Sequence, residues 1–332
     1  MDGEAKVGGG VQLQAQLIPE PQGVSQAARD YLNTPFWAGE RERLDPDDLP
    51  AWRAAIDQVA EMFAPLAATM LTQSGAKVEK ADIGGVTVYV CTPRELAPSD
   101  QDKAHIYIHG GGWAYMGGEA CGGQGAVQAS RLGYRTYSVD YRYPPFDRFP
   151  AALDDCVTVY RELLKTHAPE NIVISGGSAG GNLTAATGLR IRDEGLPWPA
   201  ALGLMTPCTD GALLSDSLAV NDQLDFLKHA TMADFWTVYA GGHDRRDPYL
   251  SPVYGDYSKG FPPTFLQTGT RDLLLSDTVR LHRAMRAAGV EAELHVWEAM
   301  PHGGFGGATS EDADMTRELK RFFAARLGRK NS

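Results

Sequence analysis

A serine inside a short glycine turn is the feature that most restricts the fold of this chain. Residues 171–175 read Asn-Ile-Val-Ile-Ser, and their three central apolar, β-branched residues are typical of a buried parallel strand. Residues 176–180 then read Gly-Gly-Ser-Ala-Gly, and beyond them apolar residues recur at helical spacing. A strand that enters a helix through Gly-x-Ser-x-Gly is the context of a nucleophile elbow, whose tight turn needs small residues and strains the serine backbone. The sequence therefore predicts that Ser178 is a nucleophile.

A second glycine-rich loop lies earlier in the chain. Residues 104–108 alternate as a strand does and lead directly into His109, three glycines at 110–112 and Trp113. Glycines let backbone N–H groups approach a substrate carbonyl with no Cβ between them. The N–H of the residue after the nucleophile, here Ala179, is the usual partner of such a loop. We therefore predict an oxyanion hole here, with a flexible glycine turn as the alternative.

A serine hydroxyl also needs a base and a carboxylate that orients the base, in the chain order Ser, Asp or Glu, His. Residues 263–269 are typical of a strand that ends at glycine, and Asp272 lies just beyond it. Asp277 is the other candidate, but it precedes a helical stretch at 278–288 and is better interpreted as the N-cap of that helix. We predict that Asp272 is the acid.

The base is one of eight histidines. His302 lies in the loop after the last predicted strand, which gives it the required chain order and the required end of the sheet. His109 is nearer the glycine loop in sequence, but its position before the glycines indicates that it shapes the loop. The other histidines lie in predicted strands, connections or helices, where a histidine is usually structural. His302 is therefore the predicted base.

These motifs together resemble those of the bacterial hormone-sensitive-lipase-like esterases, a family of α/β-hydrolases, over about residues 75 to 327. Further similarity lies in Val139-Asp140-Tyr141-Arg142, in residues 149–155, in Asp247-Pro248-Tyr249-Leu250-Ser251-Pro252 and in the Gly-x-x-Asp-x-Leu-x-x-Asp block at 269–277. The resemblance implies a triad of Ser178, Asp272 and His302. It also implies that the oxyanion hole consists of the N–H groups of Gly111, Gly112 and Ala179.

The chain departs from the family pattern at two places. Family members usually carry Asp or Thr before the nucleophile, where this chain has Gly177. The segment at 143–148 has Phe146 and Asp147 where the family usually has Glu and His. Neither change removes a catalytic group, but both leave the subgroup and the substrate open.

Strand patterns alternating with helical patterns predict a mostly parallel sheet of eight strands with helices on both faces. Together with the resemblance to the esterase family, this implies an α/β-hydrolase fold with a helical cap. The predicted strands are near 77–83, 86–91, 104–109, 134–139, 171–175, 200–205, 264–268 and 292–298. The predicted segments are a flexible N-terminus at 1–24, N-terminal cap helices at 25–75, the first part of the core at 76–206, a cap insertion at 207–250 and the second part of the core at 251–332.

The cap insertion is predicted to be mostly helical from Leu213 to Ala240 and to lie over Ser178. Most of its aromatic side chains are expected to pack the cap against the sheet, while one or two line the substrate pocket. The candidate pocket residues are Trp113, Phe36, Trp37, Phe226 and Phe305.

Composition restricts the partners. A formal net charge of −11 with no basic stripe argues against a nucleic-acid partner. The N-terminus has no secretory signal pattern, and no apolar run approaches the roughly 20 residues that span a bilayer. The four cysteines show no metal-binding spacing. We expect a cytoplasmic protein with reduced thiols, no metal and no cofactor, and a homodimer is an open possibility.

The predicted function is a serine carboxylesterase that hydrolyses small or short-acyl esters through an acyl-enzyme intermediate. A lactonase, a deacetylase or an amidase with the same triad is an alternative, because fold and triad do not determine the bond that is cleaved. A non-catalytic protein that binds a small molecule under its cap is a third possibility, although loss of the histidine would be its usual sign and His302 is present.

Overall fold

Eight strands form one sheet in the computed structural model, which describes residues 17–34 and 43–328. The strands are β1 (Lys77–Ile83), β2 (Val86–Thr92), β3 (Ala104–Ile108), β4 (Arg135–Val139), β5 (Ile172–Gly177), β6 (Ala201–Met205), β7 (Thr264–Gly269) and β8 (Ala292–Trp297). They lie in the order β1-β2-β4-β3-β5-β6-β7-β8. β2 pairs antiparallel with β1 and β4, and all other neighbours are parallel. The predicted eight-stranded, mostly parallel sheet is confirmed.

The central strands are covered on both faces. β3 and β7 are buried at every residue, and β5 and β6 are buried at every residue except the last. Because both faces of these strands are covered, their polar residues, such as His105 of β3 and Thr264 of β7, are buried together with the apolar ones. β1 lies at an edge and exposes Lys77, Glu79 and Lys80, charges that oppose pairing with another chain.

Helices pack on both faces of the sheet. They are α1 (Gln26–Leu32), α2 (Leu49–Ser74), α3 (Glu119–Leu132), α4 (Ala151–Leu163), α5 (Ala179–Asp193), α6 (Ser217–Val220), α7 (His229–Ala240), α8 (Leu275–Ala287) and α9 (Ser310–Ala324). On one face α9 packs Phe322 against Phe265 of β7, with ring centroids 5.6 Å apart. On the other face Leu183 of α5 and Leu281 of α8 belong to the largest apolar cluster. The core therefore has two layers, one on each side of the sheet.

Helices α2 and α7 begin or end at recognisable signals and lie in the two segments predicted as a cap. The Asp48 carboxylate accepts a hydrogen bond from the Ala51 N–H at the start of α2, and Gly75 ends that helix in the left-handed conformation. α7 packs on the loop after β3, where the Trp236 ring lies 4.6 Å from the Trp113 ring. The segment boundaries stay predictions.

The prediction of a mostly helical segment from Leu213 to Ala240 is wrong for its first half. Only α6, one helical turn, and α7 are helical there. Acidic side chains instead accept hydrogen bonds from nearby backbone N–H groups: Asp210 from Ala212 and Leu214, and Asp225 from Leu227. Such local bonds compete with helix formation.

All four cysteines, Cys91, Cys121, Cys156 and Cys208, are buried free thiols, in agreement with their spacing. Among residues 17–34 and 43–328, no helix combines the length and apolar character that crossing a bilayer requires. The cytoplasmic location and the possible homodimer stay predictions.

Candidate active site

The nucleophile elbow joins β5 to α5. Ser178 lies between them with φ of 56° and ψ of −122°, a conformation that costs a non-glycine residue free energy. Gly176 and Gly180 enclose the turn so closely that an added Cβ would lie 2.3 Å from the Gly180 oxygen and 2.0 Å from the Ile108 oxygen, respectively. Any side chain at these two positions would clash with backbone atoms, so both must be glycine.

Gly177 is different, because the nearest atoms to an added Cβ are the Met205 oxygen at 3.7 Å and its Cβ at 3.9 Å. We expect Gly180→Ala to yield little folded protein, since its methyl group meets backbone that cannot move away, whereas Gly177→Ala folds with a melting temperature within a few degrees of wild type. Yield of folded protein and thermal unfolding by circular dichroism test this pair. Equal stability of the two variants would contradict the tight turn.

The glycine loop after β3 lies against the elbow. An added Cβ at Gly110 would lie 2.9 Å from the Gly177 oxygen. Gly111 and Gly112 have φ of 102° and 60°, and a Cβ at Gly112 would meet the Phe235 ring of α7 at 2.7 Å. Within the described parts of the chain, the N–H groups of Gly111, Gly112 and Ala179 have no protein acceptor. They are thus available to an oxyanion.

His109 fixes the start of the glycine loop. It is buried, its Nδ1 donates to the Gly110 carbonyl oxygen at 2.8 Å, and its ring stacks on Tyr141 with centroids 4.2 Å apart. The Tyr141 hydroxyl in turn donates to the His109 carbonyl oxygen at 3.0 Å. His109 therefore contacts the loop and not the base–acid pair.

The predicted acid and base are hydrogen-bonded to each other. His302 Nδ1 lies 3.0 Å from Asp272 Oδ1, and Asp272 is completely buried. The Asp272 carboxylate also accepts bonds from the Thr268 hydroxyl at 2.7 Å and from the Leu274 N–H at 2.9 Å. These bonds fix the carboxylate, and they leave the Nε2 atom of His302 for another partner.

The electrostatic environment favours a protonated His302. Burial alone would lower the pKa of the imidazole, but the hydrogen bond to Asp272, the charge of Asp272 and the charge of Asp225 outweigh it. The net result is a pKa above the ordinary histidine value. The ring is therefore suited to receive a proton.

Asp225 is a buried carboxylate that sequence reasoning did not identify as part of the site. Its Oδ2 atom accepts the Leu273 N–H at 2.6 Å and the His302 N–H at 3.1 Å. The Asp225 carboxylate thus bonds both the loop that carries Asp272 and the loop that carries His302. Burial raises its pKa to about 6. Its only sequence signal was an acidic residue beside apolar ones, which is also typical of a turn.

Asp277 does not cap α8, as the sequence analysis predicted, because that helix begins after Leu274. Its buried carboxylate instead accepts the Thr209 N–H at 2.6 Å and the Asp210 N–H at 3.0 Å, and it bonds the Ser215 hydroxyl. Burial raises its pKa to about 7. Asp277 therefore organises the loop that follows β6.

Ser178 and His302 line a cavity of about 1560 Å³. Of the predicted pocket residues, Phe226 lines it, with its ring centroid 6.1 Å from that of His302. Trp113 also borders the cavity, but it is completely buried and stacks on Tyr239. The prediction for Phe305 is wrong, because its buried ring packs in a separate cluster edge-on to Tyr31. Phe36 and Trp37 lie outside the described residues.

Several cavity-lining side chains were not predicted. They come from the cap and from the strand ends, and they include Trp52, Met62, Met205, Leu227, Met232, Phe235 and Gln267. No local pattern distinguishes such residues from ordinary core residues, because the cavity is formed by segments distant in the chain.

Three groups of described side chains bring potential metal ligands within 4.8 Å of one another: His109, Cys121 and Asp140; Asp225, Asp272 and His302; and Glu293, His295 and Glu318. In the first group, burial raises the pKa of the Cys121 thiol and disfavours the thiolate that binds metals. In the second group, the carboxylates and Nδ1 are already joined in the hydrogen bonds described above. In the third group, Arg321 forms ion pairs with both glutamates.

Both a family model and a curated relative match this chain over more than half of its length. A family model described as the alpha/beta hydrolase fold matches residues 105–305, which include Ser178 and His302. The putative acetyl-hydrolase LipR of Mycobacterium tuberculosis is 35% identical over 244 residues, or 73% of this chain and 77% of the relative.

Solved structures are similar over most of the chain. The crystal structure of an esterase named E25 is 37% identical, covers 96% of this chain and 99% of its own, and has a TM-score of 0.85. The structure of EstE7, a homologue of hormone-sensitive lipase from a metagenome library, is 31% identical, covers 86% and 100%, and has a TM-score of 0.72.

Proposed function

The chain belongs to the alpha/beta-hydrolase family, within which it is a bacterial hormone-sensitive-lipase-like carboxylesterase, and from that premise we propose that Ser178, His302 and Asp272 are its catalytic triad. The observation that carries the proposal is the 3.0 Å hydrogen bond between His302 Nδ1 and Asp272 Oδ1 beside the cavity that Ser178 lines. With Nδ1 bonded to the carboxylate, Nε2 is the ring nitrogen that can act on the serine.

The first half of the reaction forms an acyl-enzyme. Ser178 Oγ attacks the ester carbonyl carbon while His302 Nε2 accepts the hydroxyl proton, and Asp272 stabilises the imidazolium. The N–H groups of Gly111, Gly112 and Ala179 bind the oxyanion, for which each donor typically contributes about 10²- to 10³-fold in kcat. The tetrahedral intermediate then collapses, and the alcohol leaves with the proton from His302.

The second half of the reaction hydrolyses the acyl-enzyme. Water attacks the acyl carbon as His302 accepts one of its protons, and collapse of the second intermediate returns that proton to Ser178 Oγ. The carboxylic acid is released. The buried Asp272 keeps the imidazole in the same tautomer throughout, so the base needs no reorientation between the two halves.

The proposed substrates are esters with a small or short acyl group. The name of LipR, a putative acetyl-hydrolase, supports this class. The same triad is chemically competent to open lactones or to cleave amides, and the preference among the three depends on the cavity and on protonation of the leaving group.

Labelling with a fluorophosphonate tests the nucleophile. We expect one phosphonyl group per chain by intact mass, located on Ser178 by peptide mapping, with esterase activity falling in proportion to labelling, because only an activated serine displaces the fluoride. The substrate class is tested in parallel with p-nitrophenyl acetate and butyrate, a γ-lactone and an acetanilide. Labelling at another residue, or activity retained after full labelling of Ser178, would refute the triad, while faster cleavage of the anilide would refute the ester preference.

A further inference from the structure

Gly177 has no structural reason to be glycine. It shows none of the left-handed φ values that favour glycine, and a Cβ there meets only ordinary van der Waals contacts. At Gly176 and Gly180, by contrast, a side chain would clash with backbone atoms. Glycine at 177 therefore leaves room that a small side chain could fill without a clash, beside the nucleophile and in a position that lines the cavity.

The cavity extends from this position along one face of the sheet, towards α3 and α9. This extension, which we call the polar arm, is lined by Tyr107, Gln124, Gln128, Gln267, Met315 and Thr316. Tyr107 and Gln124 are already paired, because the phenol donates to the amide oxygen at 3.0 Å. Most of these side chains carry hydrogen-bonding groups, whereas the cap side of the cavity is mainly apolar.

Gln267 is the residue of the polar arm whose side-chain oxygen lacks a hydrogen-bond partner among the described residues. Its side chain is 91% buried, since only 9% of its surface is exposed. Among the described residues, its Oε1 atom has no hydrogen-bond partner, and its Nε2 atom has only the Met315 sulfur at 3.7 Å. A buried amide oxygen without a partner is destabilising, so a side chain of this kind among the residues that line a cavity indicates a polar ligand group.

The pairing of the strands gives the distance between Gly177 and Gln267. Gly177, Met205 and Gln267 are successive partners on β5, β6 and β7, so Gln267 is two strands from Gly177. Strands lie about 4.8 Å apart, which separates the two backbones by about 10 Å. Side chains of a strand stand roughly perpendicular to the sheet, so the glutamine side chain shortens this lateral span little. An extended chain of about six carbons from the reacting carbonyl, followed by a hydrogen bond of about 2.9 Å, covers it.

We propose, on the basis of the esterase function proposed above, that the polar arm binds a hydroxyl group of the substrate through Gln267, so that the enzyme prefers esters with a terminal hydroxyl on a chain of about six carbons. A hydroxyl both donates and accepts, and it can therefore satisfy either end of an amide. Gly177 provides the opening, because a larger side chain there would project into the polar arm. The hydroxyl is carried either by the acyl part or by the alcohol part of the ester.

Two matched substrate pairs test the proposal and distinguish these sources. Ethyl hexanoate and ethyl 6-hydroxyhexanoate vary the acyl part, and hexyl acetate and 6-hydroxyhexyl acetate vary the alcohol part. Initial rates by pH-stat titration give kcat/KM for each ester. We expect about a tenfold preference for the hydroxylated ester in one of the two pairs, a value typical of a hydrogen bond to a buried group.

Gln267→Leu is expected to abolish this preference, so that both esters of the pair react at about the same rate. Gln101→Leu, the same change at an exposed glutamine, is expected to keep the preference. Ethyl acetate turnover is measured alongside as a readout of the catalytic machinery. The proposal is overturned if wild type discriminates in neither pair, or if Gln267→Leu discriminates as wild type does. If Gln267→Leu does not fold, Gly177→Val decides, because an unchanged preference in that variant also overturns the proposal. Hydrolysis without discrimination rejects this inference alone, whereas failure to hydrolyse any ester, ethyl acetate included, rejects the esterase function.

Discussion

Replacement of Ser178 by alanine is expected to lower kcat/KM for p-nitrophenyl acetate by about 10⁴- to 10⁶-fold. Without the hydroxyl no acyl-enzyme forms, and only the oxyanion hole and binding remain to accelerate attack by water. Stability should change little, because the Ser178 side chain makes no hydrogen bond that caps α5. Steady-state kinetics and thermal unfolding measure the two effects separately.

Ser175 provides a matched control three residues earlier in β5. Its hydroxyl lies 2.7 Å from Nε2 of the buried His105. Ser175→Ala leaves that nitrogen without a partner and should cost about 1–3 kcal/mol of unfolding free energy, with kcat largely retained. Ser178→Ala should show the reverse pattern. A Ser178→Ala protein that retained a few per cent of wild-type activity, after correction for contaminating wild type, would exclude the assigned nucleophile.

Asp272→Asn is expected to lower kcat/KM at neutral pH by about 10³- to 10⁴-fold. The asparagine amide can donate to Nδ1 of His302, which stabilises the tautomer whose Nε2 carries a proton and cannot accept one from Ser178. The Thr268 hydroxyl, which donates to Oδ2 of Asp272, can still donate to the amide oxygen and hold the asparagine in place. The Leu274 N–H bonds the same Oδ1 atom as His302, so it loses its acceptor when the amide nitrogen takes that position. A variant with normal activity would show that Asp272 does not orient the base.

Asp225→Asn is the matched comparison, because Asp225 bonds the backbone N–H of His302 and not the ring. The neutral imidazole is the active base, so a raised pKa of His302 places the acid limb of kcat/KM above the ordinary histidine value. Burial lowers that pKa, but the Asp272 hydrogen bond and the charges of Asp272, Asp225 and Asp277 raise it more. Removal of the Asp225 charge should therefore move the acid limb to lower pH.

The expected loss in kcat for Asp225→Asn is smaller than for Asp272→Asn, since the ring keeps its acid partner. The pH profile of kcat/KM separates an electrostatic and positioning role from a purely structural one, because a loss of folded protein lowers the rate equally at every pH. An acid limb that stays in place, or moves to higher pH, would contradict this account of Asp225.

Local patterns predicted most of the fold. The strand positions near 77–83, 86–91, 104–109, 171–175, 200–205 and 264–268 could be predicted because strand patterns depend on near neighbours in the chain. The helix predicted from 213 to 228 is limited to the single turn α6, because side-chain bonds such as those of Asp210 replace helical ones beside it. Asp277 was misassigned for a related reason, since its partners at 209, 210 and 215 lie more than 60 residues away in the chain.

By itself the sequence determined the fold class and the proposed order of Ser178, Asp272 and His302, because each follows a strand whose pattern is complete within a few residues. Only the tertiary structure decided what surrounds them. Asp225 bonds Leu273 and His302 across 48 and 77 residues, and Gln267 lies in register with Gly177 two strands away. Neither relation leaves a local trace, because burial and hydrogen bonding depend on the folded neighbours of a side chain and not on its neighbours in the chain.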